Sequence, residues 1–144
     1  MPKRQAELEK LRDPFYSAIK WMIFLIEKEG LPLTVFETYR GADRQNYLKE
    51  KGLSNAGASQ SPHNYGLAAD FILDTDKCDV RKREWPEGSG VFYPDAWDYD
   101  SKEGKHAFIR LGEIAKSLGL VWGGDWKSLK DYPHVEMPEW RKNI

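Results

Sequence analysis

A single cysteine, Cys78, constrains how this chain can hold itself together. One thiol cannot close an intrachain disulfide, and it cannot build a cysteine-rich zinc or iron–sulfur site. A chain of 144 residues without such staples must rely on a buried core. The material for one is present, since 40% of the residues are hydrophobic and 13% aromatic. The length suits one domain, residues 1–144, and the composition is not that of a disordered chain. Histidine is almost as scarce as cysteine, with only His63, His106 and His134. Any metal centre is therefore limited to those imidazoles plus carboxylates, and a nucleophilic cysteine could only be Cys78.

Charge excludes several classes of function. Lys and Arg total 22 and Asp and Glu 23, and the only basic knot is Arg81-Lys82-Arg83. Nucleic-acid binding needs a concentrated basic face, which this balance does not supply. The same balance argues against strong electrostatic docking on an anionic wall or membrane, and the Arg81–Arg83 knot reads as a solvated loop that could at most meet anionic glycan. The N-terminal MPKRQAELEKLRDPF has basic residues but no apolar h-region, so it does not read as a signal peptide. The longest apolar stretch, Trp21 to Ile26, is far short of a membrane span. The expectation is a soluble monomer made in the cytosol.

The pattern along the chain predicts an α+β fold. Residues 3–12 alternate charge with Leu8 and Leu11 and suggest a short helix. Asp13-Pro14 reads as a cap and first turn for a core helix carrying Phe15, Ile19, Met22 and Ile26, stopped by Gly30. Residues 33–39 are rich in β-branched and aromatic side chains and predict a strand. A polar helix over 42–51 and a small-residue loop over 53–62 follow. A second strand is predicted over 67–73. Residues 74–104 show no period and read as a long loop insertion. A helix over 105–118, with Phe108, Leu111 and Ile114 facing inward, precedes short strands at 120–122 and 134–136.

Two stretches carry chemistry: Ser61-Pro-His-Asn-Tyr-Gly-Leu-Ala-Ala-Asp70 and Asp131-Tyr-Pro-His134-Val-Glu136. Together they offer two imidazoles and a carboxylate, a donor set that suits zinc with an open position for water, and a further carboxylate to handle a proton. Gly66, Ala68 and Ala69 leave room for close approach. If 134–136 is a strand, His134 and Glu136 share a face, so Glu136 is open to two roles: partner of a metal ligand, or base. His106 has no motif around it and reads as a surface residue. The acidic residues of the insertion (Asp74, Asp76, Asp79, Asp95, Asp98, Asp100) leave a regulatory cation such as calcium open.

The pattern SxHxxGxAxD followed by DxxH resembles the M15 zinc peptidases, which cut peptidoglycan stem peptides. They comprise D-Ala-D-Ala carboxypeptidases and dipeptidases and the phage L-alanyl-D-glutamate endopeptidases. Ser61, His63, Gly66, Ala68 and Asp70 match the fixed positions of the first motif. Thr38-Tyr-Arg40-Gly-Ala-Asp-Arg-Gln45 is similar to the family's YRsxxxQ stretch, and Trp122-Gly-Gly-Asp-Trp126 to the WGGDW segment of the endopeptidase branch.

The resemblance implies the fold shared with the Hedgehog signalling domain, a small antiparallel sheet packed with helices. By position it implies zinc on His63, Asp70 and His134, with Asp131 as catalytic acid/base. It further implies that Arg40 polarises or holds a substrate carbonyl or carboxylate, and that Ser61 orients the site or the substrate. Asp rather than Glu at 131 sides with the endopeptidases. The activity implied is hydrolysis of L-alanyl–D-glutamate bonds. A D,D- or L,D-carboxypeptidase of the same fold is the nearest alternative, and a non-catalytic zinc-containing wall-binding domain is the alternative from another class. The implied context is an endolysin held in the host cytoplasm before release to the periplasmic wall, working without a separate anchor. A prophage-borne or bacterial recycling enzyme would leave the same trace.

Overall fold

A computed structural model describes residues 2–144. Helix α1 spans Phe15–Glu29 and presents Phe15, Ile19, Met22 and Ile26 to the interior, and Gly30 ends it in the left-handed conformation. The Asp13 carboxylate accepts from the backbone N–H of Ser17 at 3.0 Å, so it caps the first turn from just outside the helix. Strand β1 (Leu33–Glu37) follows, then helix α2 (Ala42–Glu50). A 3₁₀ turn over Pro62–Tyr65 leads into strand β2 (Ala68–Leu73). Strands β3 (Lys82–Glu84) and β4 (Phe92–Pro94) form a hairpin, and α3 spans Lys102–Ser117. Strand β5 (Val121–Trp122), a 3₁₀ turn over Gly123–Asp125 and strand β6 (His134–Glu136) complete the main framework.

The main sheet is antiparallel, in the order β1-β2-β6-β5. Successive side chains on a strand point to opposite faces, and the sequence uses this cleanly. Ala69, Phe71 and Leu73 of β2 and Val135 of β6 are buried with α1 and α3 residues such as Met22, Phe108 and Leu111 in one core. The alternate residues Asp70, His134 and Glu136 belong to the other face. This is the α+β arrangement expected from the pattern.

Three expectations are corrected. Residues 3–12 are not helical but form an irregular strap with a turn at its end. Their backbone groups bond far along the chain, the Gln5 carbonyl accepting from Thr38 N–H at 2.8 Å and Arg12 N–H donating to the Gly66 carbonyl at 3.0 Å. Gly66 permits this: it has φ +70°, and a Cβ there would overlap the Lys10 carbonyl oxygen. The segment 74–104 is not a structureless loop, because it holds the β3–β4 hairpin and the first turn of α3. That helix starts earlier than the pattern suggested because Ser101 caps it, accepting from Gly104 N–H at 3.0 Å. Three of the acidic residues of this segment are taken up by a side-chain cation. Asp95, Asp98 and Asp100 surround the Arg81 guanidinium at 3.1, 3.3 and 2.8 Å.

Candidate metal centre and cleft

Three strands line up the central residues. Glu37 of β1 lies opposite Asp70 of β2, and Asp70 lies opposite His134 of β6. A bulge between Val35 and Glu37 brings the glutamate into this row. His63 enters from the turn before β2. The Ser61 hydroxyl accepts from His63 N–H at 3.2 Å, and Asn64 completes the reciprocal cap by accepting from Ser61 N–H at 3.1 Å. The result is that one donor atom each from His63, Asp70 and His134 lies within 4.8 Å of the others. His106 is not part of this group and lines a different hollow with Cys78. Burial, with Asp74 and Glu103 nearby, pushes the Cys78 thiol up, which leaves it a poor nucleophile.

Hydrogen bonds orient both imidazoles. His63 Nδ1 lies 2.7 Å from the Thr38 carbonyl, which can only accept, so Nδ1 carries a proton and Nε2 faces Asp70 Oδ2 at 3.2 Å. His134 Nε2 lies 2.7 Å from Glu136 Oε1, and its Nδ1 lies 2.9 Å from Asp70 Oδ1. Each ring thus has an oxygen partner behind it and a second nitrogen aimed at Asp70, the usual support for a metal-binding histidine. Burial would raise the Asp70 carboxyl, but the imidazoles outweigh it and hold the group well below the carboxylate range. Burial disfavours charge on His134, yet its hydrogen bonds to Asp70 and Glu136 push its pKa up to about 10. The buried site therefore stabilises positive charge at the point where the three donors converge. Two nitrogens and one oxygen so disposed fit a divalent ion of zinc type.

Asp131 stands beside this group on a loop fixed by backbone contacts. Its N–H donates to the Gly123 carbonyl at 3.0 Å and its carbonyl accepts from His134 N–H at 3.1 Å. A Cβ at Gly123 would overlap the Asp131 carbonyl oxygen, so only glycine admits the loop so closely. Burial first, and then the negative charge of Asp70, push the Asp131 carboxyl up despite His134, His63 and Arg40.

These residues line a cleft of about 720 Å³. The D-alanyl-D-alanine carboxypeptidase model of peptidase family M15 matches residues 54–137, a stretch that contains His63, Asp70, Asp131 and His134. The chain belongs to peptidase family M15. It is 37% identical over 119 residues to the peptidoglycan L-alanyl-D-glutamate endopeptidase CwlK of Bacillus subtilis, covering 76% of this chain and 62% of that one. It is 30% identical over 134 residues to the L-alanyl-D-glutamate peptidase of Listeria phage A118, covering 91% of this chain and 39% of that one. The chain thus spans less than two thirds of the length of either relative. The Serratia marcescens L-Ala D-Glu endopeptidase ChiX has a similar fold, with a TM-score of 0.60 at 23% identity over 94% of this chain and 86% of that one.

In this M15 chain Arg40 lies in the cleft lining and is almost wholly buried. It donates to Glu37 Oε1 at 2.9 Å and to Gln45 Oε1 at 3.0 Å, and it lies 3.7 Å from Asp70 Oδ2. Its Nε–H has no partner among the described residues. Ser61 also lines the cleft, but its visible work is to hold His63. The WGGDW segment divides between two roles. Trp122 belongs to the core, while Trp126 lines the cleft with its ring centroid 5.2 Å from that of His134.

Sequence reasoning missed Glu37 and Arg44. The two arginines Arg40 and Arg44 clamp the Glu37 carboxylate from both sides. Burial would raise that carboxyl, but hydrogen bonds from Arg40 and Arg44 outweigh it and leave the group below its usual range. The signal available was a lone acidic residue ending a strand with basic residues three and seven positions on.

Proposed function

We propose that this chain is a zinc-dependent peptidase that cleaves the L-alanyl–D-glutamate bond of peptidoglycan stem peptides. The observation that carries the reading is the convergence of His63, Asp70 and His134 within 4.8 Å, beside a carboxyl on Asp131 held above its usual range. The choice of bond draws its support from the two relatives named for it. His63, Asp70 and His134 would hold the zinc, which when bound supplies a Lewis acid that acidifies water and polarises a carbonyl.

The chain's own groups do the rest. The Asp131 carboxylate takes a proton from the attacking water and returns it to the leaving nitrogen. Its raised pKa suits this, because a carboxyl that holds a proton more tightly is more completely loaded before the nitrogen needs it. Arg40 is kept rigid by Glu37 and Gln45 and, from the cleft lining, brings its fixed positive charge toward a substrate oxygen. Trp97 and Trp126 line the cleft and offer flat apolar surface to a bound peptide.

Digestion of purified muropeptides, read by mass, tests the reading. New D-glutamate amino ends in wild type, and none with Asp131→Ala at equal zinc content, are the expected result. Release of terminal D-alanine without a D-glutamate amine would mark a carboxypeptidase instead. Zinc bound with no cleavage of any stem peptide would mark a wall-binding domain.

A further inference from the structure

The β3–β4 hairpin has no buried side. Trp85, Phe92, Tyr93 and Val91 are 63%, 57%, 55% and 45% exposed. Arg83 pairs with Tyr93, and Trp85 N–H donates to the Val91 carbonyl, so alternation places Arg83, Trp85, Val91 and Tyr93 on one face. A free-standing two-stranded hairpin is marginal in water, and this one is fastened by polar groups rather than by its aromatics. At its base the Arg81 carbonyl accepts from Asp95 N–H at 2.9 Å and Arg81 N–H donates to Asp98 Oδ2 at 3.1 Å. At its tip the Glu84 carboxylate accepts from Gly88 and Gly90 N–H at 2.7 and 3.1 Å. The apolar side chains are therefore not needed to hold the hairpin, and the exposed Trp85, Val91 and Tyr93 gathered on one face mark a binding surface.

Two observations identify the occupant. The first is continuity with the cleft. Trp97, three residues past the end of β4, lines the cleft and packs edge-on against Phe36 at 4.7 Å between centroids. Trp97 thus ties the cleft lining to the base of the hairpin through three residues of chain, and each strand residue extends the surface by about 3.3 Å. The second is chemistry. Flat aromatic rings suit the C–H faces and N-acetyl methyls of sugar rings. Arg83, which makes no ion pair among the described residues and shares the face of Trp85 and Tyr93, suits carboxylates carried on them. An anionic lipid surface calls for a cluster of roughly 4–8 cations. Here Arg81 is occupied by three aspartates, and alternation leaves Arg83 as the one strand cation on the face of Trp85 and Tyr93, with Lys82 on the other face beside Glu84.

We propose that this hairpin docks the glycan strand of peptidoglycan, the sugar polymer from which the scissile peptide branches, so that the wall is held while the cleft works on it. The proposal rests on the peptidoglycan reading above, and peptide-free glycan separates the two because it contains no bond for the site to cut. Retention of the zinc-loaded full chain on immobilised glycan strands stripped of peptide is the measurement. Trp85→Ser/Tyr93→Ser is expected to weaken retention about tenfold or more, since two aromatic contacts are lost, with an unchanged melting temperature. Should that variant melt lower than wild type, Arg83→Glu carries the test, with weaker retention again expected. Wild-type protein that ignores glycan, or variants retained as well as wild type, would overturn the proposal. So would loss of binding to phosphatidylglycerol-containing vesicles in the variants with glycan retention intact, which would assign the surface to a membrane. Glycan retention without stem-peptide cleavage supports the hairpin and sinks the activity; cleavage without retention does the reverse.

Discussion

Gly112 of α3 offers a sharp test of how the core supports the chemistry, because two effects of opposite sign meet there. Replacing a glycine inside a helix by alanine ordinarily stabilises it by about 1 kcal/mol. At Gly112, however, the added methyl would overlap the six-membered ring of Trp122. The indole has little room to give, because Gly124 packs against the same ring as closely as Gly112 does, so two glycines clamp it. Overpacking in a well-filled core costs about 1–3 kcal/mol. Trp122 also donates its Nε1–H to the Tyr132 carbonyl at 2.7 Å, and displacement would forfeit about 0.5–1.5 kcal/mol more. The unfavourable effects win, and the net loss for Gly112→Ala comes to about 1–3 kcal/mol. For a chain of this size each kcal/mol lowers the melting temperature by about 3–4 °C, so thermal denaturation should show a fall of roughly 3–12 °C. Tyr132 adjoins Asp131, and a displacement near 1 Å at a reacting group lowers the rate by about a hundredfold. Activity on purified peptidoglycan should therefore drop at temperatures where the variant is still folded. A Gly112→Ala protein that melts at or above wild type would refute the clamp.

Glu136→Gln removes the anionic partner behind His134 and is expected to weaken zinc binding about 10–100-fold in a chelator competition; unchanged affinity would return Glu136 to a role in proton transfer or to none. Stripping the metal with a chelator should lower the melting temperature, and zinc added at a thousandfold excess over its dissociation constant should restore about 4 kcal/mol. No response to either step would deny the fold a stabilising ion. Glu37 is held below its usual 4.5 in the folded chain. Its contribution is therefore complete above that value and fades as pH falls through the lowered one. In urea titrations from neutral pH into acid, Glu37→Gln should cost about 3–5 kcal/mol at neutral pH, since it leaves the buried Arg40 and the part-buried Arg44 without their shared carboxylate. It should also flatten the acid slope relative to wild type; parallel slopes would exclude Glu37 as a source of acid sensitivity.

The parts of this molecule legible in its sequence are those whose cause is local. The helical spacing of Phe15, Ile19, Met22 and Ile26 and the apolar run of β2 act within a few residues, and both elements appear as expected. The ligand-type residues were recognisable because Ser61, Pro62 and Gly66 shape the turn that carries His63. The N-terminal strap left no local trace, since its bonds run to Thr38, more than thirty residues away. The hairpin escaped notice because strands of three residues exposed on both faces show no apolar alternation. Glu37 and Arg44 depend on a bulge and on strand register, which are properties of the assembled sheet.

That row of residues across three strands also sets the order in which the centre can come into being. Asp70 and His134 are 64 residues apart in the chain, and His134 lies on the last strand of the sheet. Chains emerge from the ribosome N-terminus first and their domains fold as units. The first half of the donor set is made early, but nothing can close it until β6 arrives and pairs with β2. A nascent chain is in this sense unarmed, and a one-residue slip in the docking of β6 would turn His134 into the core and leave it so.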